Sequence, residues 1–353
     1  MALNVPGPWR RRSISGITLI TSALLTPIIA PIASLIAFVR DRRSGTGRLR
    51  QTRIVALIAS VVMVEIVGQI VVFGVWLQGP FGMNRTSPRI QDKYQKIMTW
   101  YTTKITEAIA KFAPLPVDGS ELDESLLSGN AIVVARHRSI FDALIPAVLF
   151  GRRGLLTLYT LKDELQWGPN LDIVGHRMGH VFVNRSSKDL ETELQPIRDL
   201  AARIDKDSVA VIFPEGTFFN QTRLKRAIKS LERRDPVRAR MAAQFRHLLP
   251  PRPAGTLAML EAAPDADVVL VGHVGVEPFG SVPEVFANIG DPRHRLRVKA
   301  WRFDRATIPT TRDEQIHWLF ERWLQMDEWI DAYHPLASEL PAPDQRSEEP
   351  ARN

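Results

Sequence analysis

Two long apolar stretches at the start of the chain limit its possible folds more than any other feature. No charged residue occurs from Ser13 to Val39, and residues 54–83 are interrupted only by Glu65 and a few amides. A helix of about 20 apolar residues crosses a hydrocarbon core, so each stretch is long enough. The first is too long and too weakly terminated for a cleaved leader, and a second apolar stretch follows it, so both are read as retained. Pro27 and Pro31 are expected to kink the first helix. Glu65 and Gln69 lie one turn apart in the second, where polar groups are costly in lipid unless paired. The loop between carries Arg40, Arg42, Arg43, Arg48, Arg50 and Arg53, which places it on the cytoplasmic side. Arg10 to Arg12 and the downstream region are basic as well. Two arrangements therefore stay open: a kinked hairpin dipping into the cytoplasmic leaflet, or a true two-span hairpin.

The remaining length suits one sizeable α/β domain, since the chain has 353 residues. Its net charge of +8 favours anionic partners such as lipid head groups or an acidic cofactor. The chain has no cysteine, which excludes disulfides, thiolate catalysis and cysteine-based zinc sites. Four regions follow: a membrane-anchoring hairpin over 1–83, a connector over 84–130, a main domain over 131–334 and a disordered tail over 335–353. In the connector, Ile97, Tyr101, Ile105, Ala108, Ile109 and Phe112 share one helical face, and Pro114 and Pro116 end it. Beyond it, strands are expected at Ala131–Ala135, Leu155–Tyr159, Val181–Val183, Val209–Phe213, Val268–Val271 and Leu296–Trp301. Helices are expected over 187–205 and around Ile316, Phe320, Trp323 and Ile330. Alternating strands and helices argue for a sheet flanked by helices.

Chemically capable residues follow the ends of these strands: His137, Lys162, Arg185 and Glu215. Ligands bind at that edge of open α/β sheets, so the four are expected to converge. His137 and Asp142 suit a base and the carboxylate that fixes its tautomer, although an aspartate near a helix start also favours the helix dipole. Phe213-Pro214-Glu215-Gly216-Thr217 reads as a tight turn whose amides suit an anion, or as an ordinary turn with a solvated glutamate. Arg185, directly after a strand, suits a bidentate phosphate contact. His176 and His180 have zinc-helix spacing, but Arg177 stands where such a motif needs glutamate. Basic residues from Arg223 to Arg240 form a membrane-facing surface, a coenzyme A phosphate site or a solvated helix face. No stacking aromatics or recognition fold accompany them, so nucleic acid is not expected.

Taken in order, these blocks resemble the glycerolipid acyltransferases, namely the 1-acylglycerol-3-phosphate acyltransferase family and its lysophospholipid relatives. The resemblance spans roughly residues 85–335. It rests on His137-x-x-x-x-Asp142, Lys162-x-Glu164-Leu165 with Pro169, Gly179 to Arg185, and Phe213 to Thr217. His247-Leu-Leu-Pro-Pro-Arg252-Pro-Ala-Gly255 and the Trp323 to Trp329 helix look like the branch that includes lysocardiolipin-type enzymes.

The resemblance implies a mixed sheet flanked by helices, joined to the N-terminal two-helix membrane hairpin. It implies a membrane enzyme moving an acyl group from acyl-coenzyme A or acyl carrier protein to the hydroxyl of 1-acylglycerol-3-phosphate, giving phosphatidic acid. Another lysophospholipid or glycolipid acceptor, or a silent lipid-binding homologue, is the alternative. His137 would be the general base and Asp142 its partner. Arg185 would hold phosphate; Lys162, Glu215, Gly216, Thr217 and Arg252 would shape the substrate site, with backbone amides near the oxyanion. Membrane lipid is the implied partner, the domain faces the cytoplasm, and no metal or cofactor is expected. Three departures stand out: Arg136 in place of the usual asparagine, Phe218 in place of the arginine after Glu-Gly-Thr, and Asp172-Ile173 in place of Gly-Trp.

Overall fold

A computed structural model describes residues 5–45, 49–78, 87–113, 115–139, 141–183, 190–291 and 293–333. The segment 131–135, with no polar side chain, forms the strand β2 (Ala131–Ala135), and all five residues are buried. An unbroken apolar run is what a strand covered on both faces requires. Ile132 and Val134 face one helical layer, while Ala131, Val133 and Ala135 face the other. Burying each of the larger side chains contributes roughly 1.5–3 kcal/mol.

Around β2 lie β1 (Val117–Asp118), β3 (Leu156–Lys162), β4 (Val181–Val183), β5 (Ser208–Ile212), β6 (Asp267–Val274) and β7 (Leu296–Phe303), in the order β1-β7-β6-β2-β5-β3-β4. β2 runs parallel to both β5 and β6, whereas β6 and β7 are antiparallel, so the sheet is mixed. β3 extends to Lys162, beyond the expected Tyr159, because Thr160, Leu161 and Lys162 pair with β4. The two-residue β1, in the connector, was not legible as a strand; it pairs with Leu296 and Arg297 of β7.

One face of the sheet is covered by α6 (Leu190–Ala201), α7 (Gln221–Glu232), α8 (Pro236–Ala242), α9 (Pro253–Ala262) and α11 (Arg312–Tyr333). The other carries α4 (Leu144–Gly151), through Ile145, Ala147 and Phe150. Beyond the sheet lie α3 (Pro88–Phe112), α5 (Pro169–Met178) and α10 (Val282–Asn288). The segment from Pro335 and the residue Arg185 lie outside the described residues.

The apolar stretches form α1 (Pro8–Ser44) and α2 (Arg50–Gln78), which pack against each other. α1 is one continuous helix through Pro27 and Pro31; each proline removes one N–H donor without dividing the helix. Asp41, buried near the end of α1, accepts the N–H groups of Gln51 and Thr52 at 3.1 and 2.8 Å and so caps α2. Many outward apolar side chains, among them Ile17, Leu24, Ile28, Ile70 and Phe73, are exposed. Both helices are long and apolar enough to cross a membrane.

Glu65 and Gln69 of α2 are spent on α3 and α5. Glu65 accepts the Tyr101 hydroxyl at 2.6 Å and the Asn170 amide Nδ2 at 2.8 Å, and Gln69 donates to Asn170 Oδ1 at 2.9 Å. The Asn170 side chain lies directly against the α2 backbone here, so that a Cβ on Gly68 would lie 2.4 Å from Asn170 Nδ2. Asp172, in α5, binds α1: Arg11 donates to it at 2.7 Å and Arg12 at 3.0 Å. His176 adds a third contact, and the three partners outweigh burial and hold the Asp172 carboxyl well below its usual range.

Arg11 and Asp172 are both buried, so removing one leaves a desolvated charge without its partner. Asp172→Ala is expected to destabilise the detergent-solubilised protein by about 3 kcal/mol and to free α1 for proteolysis. Denaturant titration with limited proteolysis checks this; a loss below about 1 kcal/mol would mean that the pair does not hold the hairpin.

Candidate active site

Three adjacent parallel strands end at one place. The register pairs Val134 of β2 with Ile212 of β5, and Ala135 of β2 with Val271 of β6. The residues just beyond therefore meet: His137 after β2, Glu215 after β5, and His273 and Glu277 at and after the end of β6.

His137 Nδ1 lies 3.3 Å from Asp142 Oδ2. The same oxygen accepts the backbone N–H groups of Arg138 and, at 2.6 Å, Ser139. Asp142 thus folds back onto the loop before it and caps no helix; α4 starts after Ala143 with no side-chain cap. With Nδ1 turned to a carboxylate, the ring proton belongs there and Nε2 is left as an acceptor. Phe213 and Phe218 pack against the imidazole at ring distances of 4.9 and 4.4 Å and wall it.

Glu215 is only 2% exposed, which excludes the solvated-turn alternative. Its Oε1 accepts the His137 N–H at 2.7 Å and its Oε2 accepts the Leu249 N–H at 3.0 Å. Burial pushes its pKa up to about 8, against the lowering effect of those two amides and of Arg136. Gly216 has φ +72°, a left-handed conformation that side chains resist, and a Cβ there would meet the Arg252 guanidinium at 3.3 Å. Arg252 therefore stands over the turn. The Gly216 N–H is committed to the Phe213 carbonyl at 3.2 Å, so it is not free for an oxyanion, while Thr217 makes no hydrogen bond to described residues. Lys162 ends β3, two strands from β2, and has no hydrogen bond to His137, Asp142 or Glu215 among the described residues.

Behind His137 lies a buried polar layer that the sequence did not single out. The Arg136 guanidinium donates to the His273 carbonyl and to Glu277 at 2.7 Å. Burial pushes Glu277 up, but Arg136 outweighs it and holds the carboxyl at about 2. His273 Nε2 lies 3.3 Å from Asp142 Oδ1, out of line for a hydrogen bond, and 3.3 Å from the Arg136 carbonyl, to which it does bond. Burial lowers its pKa, so the ring is neutral. A lone histidine in the apolar run of β6, beside β2, was the available signal. Asp327 is another: buried on α11, it accepts the N–H groups of Arg246 and His247, both at 2.8 Å. Trp323 Nε1 donates to the Leu249 carbonyl at 3.0 Å. α11 thus braces the loop that carries Leu249 and Arg252.

His176 and His180 do not converge. His176 stacks on Phe182 and bonds Asp172, while buried His180 accepts the Tyr159 N–H at Nδ1.

Two cavities adjoin the His137 loop. An apolar one of about 330 Å³ is lined by Leu57 and Val61 of α2, Met98 and Ile105 of α3, and Phe141 and Ala143 on either side of Asp142. An arginine-bearing cleft of about 680 Å³ is lined by Glu215, Thr217, Arg223, Arg226, Arg234 and Arg252, among others.

Residues 115–246 match the family described as Acyltransferase. The chain is 26% identical over 234 residues to mouse 1-acyl-sn-glycerol-3-phosphate acyltransferase epsilon, covering 64% of this chain and 62% of that protein. It is 29% identical over 223 residues to an uncharacterized acyltransferase of Schizosaccharomyces pombe, covering 59% and 61%, and 19% identical over 252 residues to mouse lysocardiolipin acyltransferase 1, covering 67% and 65%. The chain thus spans somewhat less than two thirds of the length of these relatives. A crystal structure of the 1-acyl-sn-glycerophosphate (LPA) acyltransferase PlsC from Thermotoga maritima aligns with a TM-score of 0.48 and 15% identity over 80% of this chain and 98% of that one.

The raised pKa of Glu215 has a stability consequence. Between an unfolded value of 4.5 and a folded value of about 8, the native state holds the extra proton, so stability falls as pH rises through that window. Glu215→Gln removes this titration. Melting temperatures measured from pH 5 to 8 should fall less steeply for the variant than for the wild type, and parallel curves would contradict the assignment.

Proposed function

We propose that this chain, a member of the glycerolipid acyltransferase family, is a membrane-bound enzyme that acylates the free hydroxyl of 1-acylglycerol-3-phosphate, giving phosphatidic acid. The observation that carries the reading is the place of the His137–Asp142 loop: Phe141 and Ala143 on it line an apolar cavity, and Glu215, which holds the His137 N–H, lines an arginine-bearing cleft. One suits a fatty acyl chain and the other a phosphate.

In this reading His137 Nε2 takes the proton of the acceptor hydroxyl, and Asp142 stabilises the imidazolium that forms. The alkoxide attacks the thioester carbonyl of acyl-coenzyme A or acyl carrier protein. The new C–O bond forms, the C–S bond breaks, and the thiolate leaves with the proton returned by the imidazolium. Glu215 acts one step back: both its oxygens hold backbone, so it fixes the His137 loop and touches no substrate. Arg252, with Arg223 beside it in the cleft, takes the place of the arginine replaced by Phe218 and holds the acceptor phosphate at Thr217. Thr217 supplies the amide that Gly216 lacks. Lys162, at the end of β3, serves the same substrate, and Arg185, outside the described residues, is assigned to it by the resemblance alone.

The docking of α2 bears on the membrane arrangement. Its buried contacts with the main domain run from Ile54, against Ile289, to Val75, in the cluster with Tyr94 and Val174. At ~1.5 Å per residue this is about 30 Å, the whole hydrocarbon thickness. One face of α2 is held by the domain along that length, while Ile58, Ile70 and Phe73 stay exposed. In this reading the hairpin lies in one leaflet, on the cytoplasmic side, with the exposed faces of α1 and α2 in lipid.

Two experiments test these readings. With radiolabelled oleoyl-coenzyme A and a panel of lysophospholipids, His137→Ala is expected to lower transfer by roughly 10²–10⁴ without releasing the protein from membranes. Undiminished transfer would remove His137 from the chemistry. Because the chain lacks cysteine, Trp9→Cys and Arg43→Cys give single labels at the two ends of α1. Both should react with an impermeant maleimide from the same side of sealed vesicles; opposite-side labelling would establish a two-span hairpin instead.

A further inference from the structure

The arginine cleft is longer than one phosphate needs. Its near end is formed by Thr217, Arg223 and Arg252, where the acceptor phosphate is assigned above. Its far end carries Arg226, Ser230 and Arg234, spaced by four residues and so in line along α7 and just past it. From Arg226 to Arg234 the rise is about 12 Å at ~1.5 Å per residue. The guanidinium groups of Arg226 and Arg234 have no hydrogen bond or ion pair to any described residue. The nearest acid in sequence, Asp235, is already engaged by the Arg238 side chain and N–H. The dipole at the carboxyl end of α7 accounts for a cation at Arg234, but Arg226 lies mid-helix, where the dipole asks for none. Lys225, Lys229 and Arg233 are exposed but line no part of the cleft, which separates a concave basic site from a merely basic helix.

We propose that Arg226, Ser230 and Arg234 form a second phosphate subsite, for a ligand with a further phosphate beyond the one at Arg252. This rests on the acyltransferase reading of the same cleft. The phosphate has two possible sources: the nucleotide part of a coenzyme A donor, or an acceptor head group with two phosphodiesters.

The test is binding to the full chain in nanodiscs of neutral lipid. One arm compares coenzyme A with 3′-dephospho-coenzyme A, and the other compares a lysolipid bearing two phosphodiesters with lysophosphatidic acid. In one arm the extra phosphate should tighten binding about tenfold or more. Arg226→Ala/Arg234→Ala should erase that advantage while leaving the affinity for the simpler probe unchanged. Lys225→Ala/Arg233→Ala, which removes equal charge outside the cleft, should preserve it. The arm that responds names the source. No phosphate advantage in either arm, or one that survives the Arg226→Ala/Arg234→Ala change, would overturn the subsite. Oleoyl transfer by the wild type and its loss in His137→Ala are read separately, so a failed acyltransferase reading is distinguishable from a failed subsite.

Discussion

The carboxylate of Glu215 joins three loops at one buried point, and the Arg252 N–H on the Pro214 carbonyl at 2.9 Å reinforces the junction. One oxygen holds the His137 amide and the other the Leu249 amide, so the loops after β2, after β5 and before α9 meet on one side chain. A buried carboxyl accepting two N–H groups is expensive to desolvate, and its raised pKa records the expense. The neighbouring layer limits it: Arg136 lies close enough to favour the ionised form, and Asp327 and Trp323 of α11 hold the Leu249 loop from behind. If the clamp opened, His137 would lose the fixed backbone from which its ring reaches Asp142. Arg252 would lose the turn it stands over.

The same logic applies at the membrane end. A glutamate and a glutamine inside an apolar helix are unfavourable in lipid, yet here they are what selects the docking face of α2. Tyr101 and Asn170 are the partners that make burial tolerable, and burial together with the Glu65 charge holds the Tyr101 phenol well above its usual range, so it remains a donor. Tyr101 and Leu57 also line the apolar cavity. The hairpin is therefore a wall of the cavity as well as an anchor, and any shift of α2 changes the space beside Phe141.

Much of this was legible in the residues. The unbroken apolar runs at 131–135 and 209–212 announce strands covered on both faces, and the polar residues after them announce the site edge. The spacing of His137 and Asp142 left helix capping open, because a five-residue offset serves either purpose; the backward fold of the Asp142 carboxylate onto Arg138 and Ser139 is a loop conformation that no spacing encodes. His273, Glu277 and Asp327 were missed for a related reason. Each lies in an apolar strand, after one, or on an apolar helix face, and their partners are over 70 residues away in the chain. Arg136 was visible only as a departure, and its meaning needed Glu277 beside it.

The central claim is that His137 and Asp142 act as one chemical unit held by this scaffold. A double-mutant cycle measures that directly, through kcat/KM for oleoyl transfer in the wild type, His137→Ala, Asp142→Ala and the double variant. The account predicts strong non-additivity: the double variant should be no slower than His137→Ala alone, because the carboxylate has no task without the imidazole. Losses that multiply would show two independent contributions and contradict the pairing on which the proposed chemistry rests.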